Sequence, residues 1–201
     1  MSWIKTIPFE NAKGKLKSIY KRVMGPQHKI DNVLQVHSLR PHTLVGHMTL
    51  YKSVLHHSGN ALPKWYLEAI GVYVSFLNNC SYCVDHHSAG LRRLLDEPKK
   101  EAKFFDALSN DRLHSFFDPK YAEGIAYAKK LTLTPSMVSL TDFNRLKELG
   151  FTEGEILEIN QVSSYFNYVN RSVLGLGVNT EGDVIGLSPK ESDDAENWNH
   201  S

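Results

Sequence analysis

Apolar residues recur at helical spacing along most of the chain, and stretches that alternate apolar with polar are scarce. From Glu10 to Val23, Leu16, Ile19, Tyr20 and Val23 fall on one face, and Gly25-Pro26 stops the run. Pro41 opens a second helix through His57, ended by Ser58-Gly59-Asn60. Pro63 opens a third to about Leu77, and Asn78-Asn79 supply a break or cap before a fourth, Ser81 to Leu95. Pro98 to Leu108, Tyr121 to Leu131 and Thr141 to Leu149 read as further helices. The capping-box pattern Thr152-Glu153-Gly154-Glu155 starts a long final one that runs toward Gly175 or Gly177. No fixed-period repeat or extended linker interrupts this. The pattern predicts an all-α, single-domain helical bundle of about seven or eight helices. It spans residues 1-187, and a polar, flexible tail follows over 188-201.

Two of these helices stand out. Between Ala61 and Val84 the only formally charged residues are Lys64 and Glu68, so the third helix is apolar almost all round and belongs in the core. Glu68 shares its side with Gly71, Val72 and Ser75, where small side chains let a neighbour come close. A carboxylate so placed is expected to face protein and to be raised in pKa, which suits a proton acceptor. The plainer alternative pairs it with Lys64, four residues earlier, or leaves it at the helix edge in solvent.

The stretch LNNCSYCVDHHSAG, residues 77 to 90, holds both cysteines of the chain and two of its ten histidines. At the ideal helical period, Cys80, Cys83, Val84, His87, Leu91 and Leu94 share one stripe, expected to be buried, while His86 lies nearer the outside. His87, four residues after Cys83, is the histidine able to reach its sulfur. Cysteines at i and i+3 opening a helix meet unpaired N–H groups and the positive end of the dipole, which favour thiolate. Spacing alone permits a redox-active disulfide, a zinc site with a histidine as third ligand, or a pair of buried small apolar residues.

Composition narrows the choice. Over 201 residues the net charge is +1 and the sequence pI is about 7.8, too little positive charge to make nucleic acid the main partner. The N-terminus MSWIKTIPFE lacks the basic-then-apolar run of a secretory signal, and no apolar stretch is long enough for a membrane. A cytoplasmic location is therefore expected, and in that reducing setting a cysteine pair points to redox cycling or metal rather than a structural brace.

The arrangement of Glu68, Cys80-Ser81-Tyr82-Cys83 and His87 resembles the alkylhydroperoxidase D family within the carboxymuconolactone decarboxylase superfamily. It is most similar to the peroxidase-related branch, whose motif reads CxYCxxHH. Leu39-Arg40-Pro41, Gly59 through Pro63, Leu149-Gly150-Phe151-Thr152, Tyr165-Phe166-Asn167 and Asn170-Arg171 extend the likeness over roughly residues 10 to 178. The resemblance implies an all-helical domain that forms homo-oligomers and reduces hydroperoxides through a Cys80/Cys83 dithiol–disulfide cycle. Cys83 would be the peroxidatic sulfur, Cys80 the resolving one, and Glu68 with His87 the proton relay. No bound cofactor or metal is implied, but an external thiol or dithiol reductant is required. One departure is that Tyr82 stands where better-known members have a histidine, and tyrosine titrates too high to replace that base. Tyr82 and His86 are candidate relay residues, and Tyr73 and Phe76, with Leu77, are candidates to line an apolar pocket for small organic hydroperoxides.

Two other functions fit the same residues: a non-enzymatic zinc-binding or redox-sensing protein using the CxxC pair, and a decarboxylase-like enzyme suggested by the superfamily name alone. Elsewhere, His37, His42 and His47 spread around a helix and read as solvated or capping residues, Trp3 as a core anchor ahead of a contact between subunits, Asn170-Arg171 as a brace of either a subunit contact or the core, and Lys99, Lys100 and Lys103 as a solvated face.

Overall fold

The computed structural model describes residues 2–25, 28–194 and 196–199. Among them are nine α-helices: α1 (Gly14–Val23), α2 (Asn32–Gln35), α3 (Pro41–Leu55), α4 (Lys64–Leu77), α5 (Ser81–Leu95), α6 (Pro98–Ser109), α7 (Pro119–Leu133), α8 (Leu140–Glu148) and α9 (Glu153–Gly175). No strand occurs among the described residues, where the single β-bridge joins His57 to Ser192. The all-α expectation is met, and eight of the helices lie where apolar spacing placed them. The ninth, α2, is one turn long, too short to leave a periodic signature. Pro26, expected to stop the first helix, lies outside the described residues.

Punctuation in the sequence fixes the helix ends. Pro41, Pro98 and Pro119 each occupy the first turn of a helix, where a missing N–H costs nothing. Thr152 and Glu155 form a reciprocal capping box at the start of α9, and Ser139 and Asp142 form another at α8. No helix among the described residues is long and apolar enough to cross a membrane.

Helix α4 is the central element. Ten of its residues are buried, and α5, α7 and α9 pack around it. Helix α9 comes close to it at Gly71, where a Cβ would lie 2.2 Å from the Phe166 ring. The small-residue side anticipated around Glu68 thus receives a neighbouring helix at Gly71.

Two expectations about the chain ends change. The described part of the tail is held down: Trp198 is only 1% exposed beneath the Arg22 guanidinium, and the Lys52 ammonium donates to the carbonyl of Lys190. A tryptophan in a polar segment supplies enough apolar area to anchor it. Residues 195, 200 and 201 lie outside the described set. Trp3 is no core anchor, being 79% exposed where its ring covers Gly177.

Candidate active site

The turn between α4 and α5 sets the two sulfurs. Asn79 takes a left-handed conformation (φ 55°), which asparagine tolerates better than most residues. The Cys80 N–H then donates to the Ser75 carbonyl at 2.9 Å, leaving Cys80 as the N-cap of α5 and Cys83 in its first turn. Both cysteines are free and buried, at 0% and 2% exposure.

The thiols are hydrogen-bonded to each other, so their ionisations are linked. The bond from Cys83 holds Cys80 below the usual thiol range, against the opposing effect of burial, with help from the Cys83 backbone N–H and the Asn170 amide. Cys83 is pushed well above its ordinary value, first because it donates to Cys80 and then by burial. When the pair gives up its first proton, the charge therefore falls on the helix-capping sulfur rather than on Cys83. Asn170, 0% exposed, touches both sulfurs, donates to Ser75 Oγ and accepts from the Asn78 amide, both at 3.0 Å. It is a hub of the site that sequence reading left between core and subunit brace.

Glu68 is 3% exposed and pairs with His87, whose Nδ1 lies 2.8 Å from its Oε2. Lys64, the alternative partner, turns instead toward Glu191 at 3.9 Å. The His87 ring is held edge-on by Phe166 and Tyr51, with centroids 4.7 and 6.1 Å away.

Cys83, Glu68 and His87 share the wall of one cavity, with about 50 Å³ open to a water-sized molecule, enough for a few waters or one small solute. Cys80 does not reach it. Helix α3 contributes His47 and Tyr51, α9 contributes Tyr165 and Val169, and the stretch before and within α2 contributes Asp31, Val33 and Leu34. Tyr51 and Tyr165 stack at 5.4 Å as a flat aromatic wall, and burial raises both phenols well above their usual range. Gly186, Leu187 and Ser188 close the remaining side, in a stretch beginning at Asp183 that forms a strap.

No local motif in the sequence joins Asp31, Tyr51 or the strap to the cysteines, and Tyr165 stands out there only as part of the family resemblance. His47 was read as solvated or capping, yet it is 3% exposed and lines the cavity.

The strap also explains where helical geometry misjudged α5. His86, expected near the outside, is more buried than His87: its ring stacks on Tyr82 at 4.6 Å and its Nε2 lies 3.5 Å from Asp183 of the strap. The Tyr82 hydroxyl donates to Asp183 Oδ2 at 2.6 Å, which points this residue toward the strap. Leu94, expected in the buried stripe, is 41% exposed. Tyr73 and Phe76 do not line the cavity. They lie well round α4 from Glu68, Tyr73 buried elsewhere and Phe76 38% exposed.

Among the described residues no group of three or more His, Cys, Asp or Glu is placed to hold a metal ion. His87, the histidine best spaced to join the cysteines, is turned to Glu68.

No family model matches the chain, and no curated protein does. Solved structures do. One is an alkylhydroperoxidase AhpD core, an uncharacterized peroxidase-related protein from Ralstonia eutropha JMP134. It is 23% identical with a TM-score of 0.76, covering 89% of this chain and 92% of that one. An uncharacterized peroxidase-related protein from Silicibacter sp. TM1040 is 21% identical at a TM-score of 0.74, over 90% and 95% of the two chains. A variant of the debrominase Bmp8 in complex with 2,3,4-tribromopyrrole is 18% identical at a TM-score of 0.63, over 84% of each.

Proposed function

Starting from a chain with the alkylhydroperoxidase D-like fold, we propose that it is a thiol-dependent peroxidase for small organic hydroperoxides. The observation that carries this reading is the mutually hydrogen-bonded Cys80–Cys83 pair, one sulfur of which shares a cavity with the Glu68–His87 couple. Passage of the shared proton to Cys80 leaves charge on Cys83, the sulfur that meets the cavity, and Glu68 with His87 relays protons during turnover. Cys83 attacks the O–O bond and becomes a sulfenic acid, releasing an alcohol. Cys80 then attacks the sulfenic sulfur, closing the disulfide with loss of water, and a dithiol from outside restores the pair. Such a cycle fits a reducing compartment, the cytoplasm, and a homo-oligomeric assembly.

The test is turnover of ethyl hydroperoxide with dithiothreitol. Cys83→Ser abolishes it, and Cys80→Ser leaves a sulfenic acid at Cys83 that dimedone captures. Wild-type rates in both variants would sink the reading. The stacked Tyr51–Tyr165 wall beside Cys83 favours a second substrate type, a flat halogenated ring such as the tribromopyrrole bound by the Bmp8 variant. Bromide release from that compound, without peroxide turnover, would select this reading.

A further inference from the structure

Resting on the peroxidase reading, we infer that Asp31 is a catalytic acid of this site: its carboxyl hands a proton to the oxygen that leaves when Cys83 breaks the O–O bond.

Its placement carries the assignment. Asp31 occupies the N-cap of α2, where an aspartate ordinarily accepts a hydrogen bond from the helix's first N–H groups, yet it makes no such bond. By contrast, Asp118 at the N-cap of α7 accepts from Tyr121 N. The Asp31 carboxyl accepts no hydrogen bond and joins no ion pair among the described residues, and it lines the cavity that holds Cys83. The other acids near the cavity are engaged: Glu68 with His87, and Asp183 with the Asn32 N–H and the Tyr82 hydroxyl. Asp31 is the carboxyl left over for a ligand.

Its surroundings suit an acid. The groups acting on it or feeling its charge are His86 and Tyr82 from α5, Tyr51 from α3 and Asp183 from the strap. Burial first, and the Asp183 charge to a lesser extent, push Asp31 up to about 6, while the charge on His86 acts in the opposite sense. At pH 7 about one molecule in ten then carries the proton, far more than for an ordinary aspartate.

The step balances. The Cys83 thiolate takes the terminal hydroxyl oxygen of ROOH, forming an S–O bond as the O–O bond breaks. The bonding electron pair departs with RO, so sulfur is oxidised and the peroxide reduced. The Asp31 proton converts RO⁻ to ROH, and the carboxylate regains a proton from water through the cavity mouth.

Leaving-group dependence tests this. Ethyl hydroperoxide and peracetic acid are similar in size, but the first expels ethoxide, a strong base, and the second acetate, which needs no proton. Asp31→Asn should slow reduction of ethyl hydroperoxide by about 10²-fold and peracetic acid by no more than a few-fold. In the wild type, kcat/KM for ethyl hydroperoxide should level off above pH 6 until the thiol ionises, because lost acid offsets gained thiolate. In the variant it should climb about tenfold per unit over that range. Equal losses with both oxidants would mark Asp31 as structural and overturn the assignment, as would no loss with either. A wild-type enzyme that reduces neither oxidant would overturn the peroxidase reading first, and the acid with it.

Discussion

Gly71→Ala sets two effects of opposite sign against each other. In a helix interior alanine is favoured over glycine by about 1 kcal/mol. At Gly71, however, the new methyl would lie 2.2 and 2.3 Å from Phe166 Cε2 and Cζ, so the ring must retreat by more than about 1 Å to regain ordinary contact near 3.5 Å. Phe166 is fully buried, with its ring edge-on to His87 and Tyr165 at 4.7 and 5.3 Å. Overpacking of that kind costs about 1–3 kcal/mol. At the middle of that range the steric loss outweighs the propensity gain by about 1 kcal/mol, and the melting temperature should drop by about 2–4 °C for a chain of this size. Because the displaced ring presses on His87, the proposed peroxide turnover should fall as well. Gly46, also within a helix, has nothing within 4 Å of its would-be Cβ, so Gly46→Ala should raise the melting temperature. Thermal melts followed by circular dichroism compare the two. If Gly71→Ala melts at or above the wild type while Gly46→Ala behaves as expected, the close approach of α4 and α9 is wrong.

Asn170→Leu removes a hydrogen-bond donor from both sulfurs, so their alkylation by iodoacetamide at pH 7 should slow severalfold; an unchanged rate refutes its part in favouring thiolate. Asp31, raised to about 6 in the folded chain, favours folding fully only below its unfolded pKa, and that contribution is lost as pH climbs through 6. Asp31→Asn should accordingly stabilise the protein at pH 7.5, by on the order of 3 kcal/mol at most, with the gain vanishing near pH 4; denaturant melts at the two pH values decide. Tyr82→Phe deletes the 2.6 Å bond to Asp183 and should cost about 1.5–3 kcal/mol, with faster hydrogen exchange at residues 183–192; exchange confined to other segments would contradict the strap's anchoring. Trp198→Ala should lower stability by about 3–5 kcal/mol, whereas a tail that contributed nothing would leave the melt unmoved.

Local pattern carried the helices and the half of the site that lies within twenty residues. Glu68, Cys80, Cys83 and His87 come from two consecutive helices joined by a tight turn, so spacing and helical angle suffice to bring them together. Asp31, Tyr165 and Asp183 come from segments far apart in the chain, and their meeting depends on how α2 and the strap fold back over α5. The same fold-back reversed the ranking of His86 and His87, since a helical wheel knows the faces of its own helix and nothing of what covers them. The polar letters of the tail hid Trp198, whose single ring outweighs its neighbours' charge.

Under the proposed dithiol–disulfide cycle, the sulfurs' unequal reach decides how an oxidised molecule would be reset. A reductant entering by the cavity can strike only Cys83, and the sulfur it expels is Cys80, the one seated at the start of α5 where negative charge is most welcome. In that cycle regeneration would run in a fixed direction: the mixed disulfide with the donor would form on Cys83, and an electrophile added midway would find Cys80 as the departing thiolate.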